Sequence, residues 1–186
     1  MNRFEESRGK GVIARNEGAN VGKFDDFQFD LRSWEIFGYR IKPHNVFGKA
    51  GGVSSTKLDL VGRDVAFVQA ETDVEWTGGG RNSEDGRSWA SSYLGTKVIS
   101  RDGTSLGEVV DILFEPASRK VLAIVLNDDR IALLNDRVAT GSAAVVLENA
   151  AVAFSFPARE KGETMAAWWE RVNPGPSNDK IEIPQD

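Results

Sequence analysis

One strand pattern occurs twice in this chain, and that repeat limits what it can fold into. The first copy opens Gly9-Lys10-Gly11-Val12-Ile13-Ala14-Arg15-Asn16, the second Gly95-Thr96-Lys97-Val98-Ile99-Ser100-Arg101-Asp102. Val21 to Asp30 then lies over Leu106 to Glu115, and Ile36 to Ile41 over Val121 to Leu126. The offset is 86 at Val12 and Val98 but 85 at Gly22 and Gly107, so the first copy has one extra residue in its first turn. A repeated set of short strands implies two similar units that stack as neighbours. Each unit has only about 70 residues, near the lower limit for an independent core. The halves are therefore expected to support each other.

Alternation assigns the faces. In the second copy Leu106, Val110, Ile112 and Phe114 share one face, followed by Leu122, Ile124 and Leu126. In the first copy Phe27, Phe29, Phe37, Tyr39 and Ile41 take the matching places. This predicts two cores. The outward set is Phe24, Gln28, Ile36 and Arg40 in the first copy, and Val109, Leu113, Val121 and Val125 in the second. Phe24 and Ile36 match Val109 and Val121, and these are candidates for contact between the units. Asp102-Gly103 and Pro116-Ala117-Ser118-Arg119 read as tight turns. The pattern predicts an all-β chain: two small antiparallel barrels in tandem, then a short C-terminal helix and an extended tail. The boundaries read as 1–75 for the first barrel, 76–92 for a flexible linker, 93–157 for the second barrel and 158–186 for helix and tail. The linker rests on Thr77-Gly78-Gly79-Gly80-Arg81-Asn82-Ser83-Glu84-Asp85-Gly86.

The second copy's outward set is wholly apolar, so something must cover it. The one convincing helix is Glu163 to Val172, with Met165, Trp168, Trp169 and Val172 on a single stripe. Asn173-Pro174 ends it. Adjacent Trp side chains diverge by about 100° on a helix, so one can face the barrel and the other a partner.

Composition excludes several classes. There is no cysteine, so neither disulfides nor thiolate metal sites are possible. The longest apolar run, Val121 to Leu126, is too short to span a bilayer, and the start has no apolar segment of signal-peptide type. The expected location is the cytoplasm, at most peripheral to the inner membrane. Net charge is −5, unevenly spread: residues 1–70 hold 11 Lys+Arg and 9 Asp+Glu, the remainder 12 and 19. An acidic chain without a basic stripe argues against nucleic-acid binding.

The repeated pattern resembles the PRC-barrel family. The residues that carry it are Val98-Ile99-Ser100-Arg101-Asp102-Gly103, Leu106-Gly107-Glu108-Val109-Val110-Asp111-Ile112 and Val121 to Leu126, with Val12-Ile13, Gly18, Gly22 and Asp26 in the first copy. The family includes the cytoplasmic domain of the photosynthetic reaction-centre H subunit and the C-terminal domain of a ribosome maturation factor. The resemblance implies a non-enzymatic scaffold or accessory subunit docking on a larger complex. Its specific form is the cytoplasmic face of a bacterial photosynthetic reaction centre; the alternative is a ribosome maturation or RNA-assembly factor.

No catalytic set is visible: no phosphate-binding loop, no nucleophile elbow and no metal-binding His pair. No catalytic, cofactor or metal residue is assigned, and a small-molecule partner is not expected. Asp26 and Asp111 are equivalent, and each is expected to accept backbone N–H groups beside its Gly turn. Gly22 and Gly107 are expected to serve backbone conformation or close packing. His44, the only histidine, lies in the longer loop of the first copy and has no assigned role. The partner-binding candidates are Phe47 in that loop, Trp76 and Trp89 beside the linker, Trp168 and Trp169 on the helix, and Ile181 and Ile183 in the tail.

Overall fold

The computed structural model describes residues 1–45, 48–59, 64–78, 86–135, 137–155, 157 and 159–172. The fold is all-β. The first half contains β1 (Asn2–Arg3), the helical turn α1 (Phe4–Ser7), β2 (Gly11–Ala14), β3 (Ala19–Asp30), β4 (Ile36–Lys42), β5 (Gly51–Ser54), β6 (Leu58–Asp59) and β7 (Val65–Val68). The second contains β8 (Arg87–Trp89), the turn α2 (Ala90–Tyr93), β9 (Lys97–Ser100), β10 (Ser105–Glu115), β11 (Lys120–Leu126), β12 (Arg130–Leu133), β13 (Val138–Thr140), β14 (Ala144–Leu147) and β15 (Ala153–Ser155). Helix α3 (Met165–Val172) follows.

The two sheets run in the same order. The first is β5-β4-β3-β2-β7-β6 and the second β12-β11-β10-β9-β14-β13, with β15 added beyond β12. In each, a parallel pair sits among antiparallel ones: β2 with β7, and β9 with β14. Residues 43–50 separate β4 from β5 in the chain, whereas only 127–129 separate β11 from β12. Past this insertion the offset between matching residues falls to 79, as at β7 and β14.

Each half lends its opening segment to the other. β8 pairs with β3 through Gln28 and Trp89, Phe29 and Ser88, and Asp30 and Arg87. β1 pairs with β10 through Leu113 and Arg3, and Phe114 and Asn2. Residues from Arg87 on, expected to close a flexible linker, are thus a strand and a helical turn. Burial explains this, since Ala90 and Tyr93 are 0% and 2% exposed. A second exchange lies between the sheets. The Ile36 N–H donates to the Arg119 carbonyl, and the Val121 N–H donates to the Trp34 carbonyl, both at 2.8 Å. Glu35 pairs with its own counterpart, Lys120. Trp34 and Arg119 take the same left-handed backbone, φ 57° and 53°. Such reciprocity between equivalent residues is the mark of an isologous interface.

The expectation of two cores is corrected. One buried cluster runs through both halves and includes Phe24, Phe27, Ile36, Val109, Phe114 and Val121. Phe114 of the second sheet lies 4.6 Å from the Phe27 ring and stacks on Phe24 at 6.2 Å. Phe4 meets Phe27, and Tyr93 meets Phe29, each edge-on at 5.4 Å. Phe24, Ile36, Val109 and Val121, the candidates for contact between the units, do form the seam, and only their assignment to an outer face is wrong. Bulges cause the error. The register slips at matching places, between Phe24 and Asp26 and between Val109 and Asp111, then again where Phe37 and Leu122 are skipped. Each bulge shifts the two-residue period by one. Val110 and Phe37, expected in the cores, are consequently 41% and 39% exposed, and Leu122 is only half-buried.

Gly22 and Gly107 sit at matching places with φ of 153° and 129°. A Cβ on Gly22 would lie 2.4 Å from the Lys42 carbonyl oxygen, whereas one on Gly107 would lie 2.3 Å from the Asn127 side chain. A side chain can swing away and a strand carbonyl cannot. Gly22→Ala should therefore cost about 1–3 kcal/mol more than Gly107→Ala in urea unfolding. Equal losses would show that backbone conformation alone requires both glycines.

Candidate docking surfaces

Helix α3 starts at Thr164, whose hydroxyl accepts the Ala167 N–H at 3.1 Å, as a helix cap should. Arg171 reaches back to Glu163 at 2.8 Å and holds that carboxyl down to about 2. Trp168 faces inward, 6% exposed, on a second small core of Leu113, Ala123, Val125 and Ile131. Met165, Trp169 and Val172 pack at its border. The Trp168 indole N–H donates to the Pro157 carbonyl at 2.8 Å. The helix thus covers Leu113 and Val125, while Val109 and Val121 belong to the seam. Trp168→Ala should cost about 3–5 kcal/mol, and Trp169→Ala clearly less. Guanidinium unfolding midpoints check this; equal losses would mean that both rings carry the packing.

The matching face of the first half is of opposite character. Gln28, Gly38, Arg40 and Gly52 stand where Leu113, Ala123, Val125 and Ile131 stand in the second. Arg40, 9% exposed, donates to Asp25 at 2.5 Å and to Asp26 at 3.2 Å, and its guanidinium lies 4.9 Å over the Trp89 ring. Lys42 pairs with Asp25 at 2.6 Å. Burial pushes Asp25 up, but the bonds from Lys42 and Arg40 together outweigh it and hold the carboxyl below the usual range. For Asp26, 0% exposed, burial wins over the Ser91 bonds and Arg40, and its carboxyl is pushed up.

Asp26 and Asp111 do accept backbone N–H groups, but not at their Gly turns. Asp26 takes the N–H of Phe27 at 2.9 Å and of Ser91 at 3.1 Å, with the Ser91 hydroxyl on its other oxygen. Asp111 takes the N–H of Ile112 at 2.8 Å and of Glu5 at 3.1 Å, with the Arg3 guanidinium on its other oxygen. Each aspartate caps the helical turn that the other half lends it. Their offset of 85 was visible in the sequence; their partners, at separations of 65 and 106, were not.

The proposed partner residues divide. Trp168 and Trp169 come together, ring centroids 6.2 Å apart, with Trp168 committed to the interior. Trp76 is 42% exposed and lies over Gly51, where a Cβ would be 3.0 Å from its ring. Trp89 is half-buried beneath Arg40. Phe47, Ile181 and Ile183 lie outside the described residues. Sequence reasoning missed Phe37, with the Arg87 guanidinium 3.8 Å over its ring, and Phe154, 38% exposed on β15. The His44 ring nitrogen Nε2 is 2.9 Å from Asn20 Oδ1. Among the described residues no group of three or more His, Cys, Asp or Glu is placed to hold a metal. No helix there is long and apolar enough to cross a membrane.

A cavity of about 380 Å³ lies under α3, and one of about 740 Å³ adjoins it beside α1. Neither was anticipated, because their walls come from segments distant in sequence.

Comparison with curated proteins returned no match. A protein-family model does match, beginning at the exchanged strand β8 and ending just past β14, a third of the chain. On that alignment, residues 87–148 are a PRC-barrel domain.

Proposed function

We propose that the chain is a non-enzymatic scaffold or accessory subunit, built from two PRC-type barrels, that docks on a larger assembly. The PRC-barrel domain at residues 87–148 carries the reading, since such a domain points to a protein-interaction or scaffold role. The shared strand order and reciprocal pairings support a barrel of the same type in the first half. Exposed aromatics favour docking: Phe37, Trp76 and Phe154 are each between 38% and 42% exposed, and large aromatics are enriched in interfaces. The partner proposed by resemblance is the cytoplasmic face of a bacterial photosynthetic reaction centre, with a ribosome maturation or RNA-assembly role as the alternative.

The test is affinity purification of the tagged chain from the native host, with membrane and soluble fractions kept separate. The expected result is co-purification of reaction-centre polypeptides from membranes. Trp76→Ala combined with Phe37→Ala should weaken that recovery, each anchor contributing about 1–2 kcal/mol. Ribosomal particles in the soluble fraction would replace this reading with the assembly-factor alternative. A defined small-molecule turnover by the pure chain would overturn the non-enzymatic assignment.

A further inference from the structure

We propose that the cavity beneath α3 binds a medium-length acyl chain carried on a neutral ester or amide. Its volume is about 380 Å³, and Leu113, Val125, Ile131, Pro157, Met165 and Trp168 line it. Only Arg3, Asp129 and Arg159 bring charge to it. A mostly apolar hollow of this size with a few convergent polar groups is the usual form of a small-molecule site. Leu113, Val125, Ile131 and Met165 offer hydrocarbon walls, so an apolar chain suits this part of the lining.

The polar groups select the head. Arg3 Nε is committed to Asp111 at 2.8 Å, and Arg159 Nη1 to Glu6 at 2.9 Å. These bonds hold both guanidinia in place while using one donor apiece, and a guanidinium has about five. Over the lining of both cavities six carboxylates face four Lys and Arg and the N-terminal ammonium, which is itself paired with Glu115, so the mouth has no positive excess to attract a carboxylate. A carbonyl oxygen accepts a guanidinium N–H without bringing charge into it. The larger cavity, about 740 Å³, shares Arg3, Arg159 and Met165 with the smaller one. The head group then sits where the two meet, and the acyl chain runs under α3. This site is independent of the docking reading, and either can fail without the other.

The Trp168 indole N–H supplies the readout, because it and its acceptor Pro157 both line the cavity. The full chain, labelled with ¹⁵N, would be titrated with N-decanoylglycinamide and separately with decanoate, both below micelle formation. Trp168→Phe assigns the resonance. A saturable shift is expected with the amide, at affinity about tenfold above decanoate. Val125→Trp should abolish it by filling the cavity. Asp129, at φ 64°, is in a backbone conformation that Asn also adopts. Asp129→Asn should therefore keep the fold and shift the preference toward the acid, strengthening decanoate relative to the amide about fivefold. No saturable shift, tighter binding of decanoate by the native chain, or a shift that survives in a folded Val125→Trp variant would overturn the proposal. If Val125→Trp does not fold, an unchanged preference in Asp129→Asn overturns the neutral-head assignment.

Discussion

Phe114→Ala should unfold both halves together, at a cost of about 3–5 kcal/mol. Phe114 is 0% exposed and belongs to the second sheet, yet its ring packs on Phe24 and Phe27 of the first. Its backbone also pairs with Asn2, in the segment lent by the first half. Removing the ring leaves a cavity at the seam, where neither sheet can collapse without moving the other. Leu113→Ala is the control. Leu113 faces the small core under α3, so its loss, about 2–4 kcal/mol, should chiefly loosen that helix. Urea unfolding followed by tryptophan fluorescence and far-ultraviolet dichroism decides the matter. Coincident transitions in both native chain and Phe114→Ala are expected. Two separated transitions, with only one moved by Phe114→Ala, would mean that the halves are thermodynamically independent.

Asp26→Ala should cost about 3–5 kcal/mol, because it removes one of the two carboxylate partners of buried Arg40 and leaves two backbone N–H groups without their acceptor. Asp26→Asn should cost much less, since its amide oxygen can still accept from Phe27 and Ser91. pH separates the charge from the hydrogen bonds. The folded Asp26 carboxyl lies above its ordinary 3.8, so the stability it contributes is full below 3.8 and is lost as pH rises through the folded value. The gap between the native chain and Asp26→Asn should accordingly narrow from pH 3.5 toward pH 7. Asp25 behaves oppositely. Its carboxyl is depressed, so its contribution is present above 3.8 and is lost as pH falls through the folded value. The gap to Asp25→Asn should widen over the same rise in pH. Parallel gaps for both variants would show that Arg40 and Lys42 do not divide between the two carboxylates as the geometry has them.

Much of the fold was legible from local chemistry. The aligned positions of the two copies correspond to matching strands: Val12 and Val98 in β2 and β9, Phe27 and Ile112 in β3 and β10, Tyr39 and Ile124 in β4 and β11. The α3 stripe was legible too, because Met165, Trp168, Trp169 and Val172 fall on one side of a helix whatever they pack against. The faces of β3 and β10 were not. A bulge adds one residue without any residue type that announces it, and everything beyond it changes side. Asp25 and Val110 hold the same bulge position, yet one lies buried in an ion-pair network and the other stands 41% exposed.

What the sequence determined by itself is what local periodicity encodes: two copies of one strand set, a covering helix and an all-β chain. Tertiary structure alone decided which segments complete which sheet. β1 and β8 are two and three residues long, and nothing in so short a stretch distinguishes its own sheet from its neighbour's. That choice is made by Asp111 and Asp26, each offering a buried carboxylate to the other half's first helical turn, and by Phe114 filling the space between Phe24 and Phe27. The cavity under α3 has the same origin. Arg3, Asp129 and Arg159 are far apart in the chain and meet only after β1 has crossed to β10 and α3 has folded back over β11.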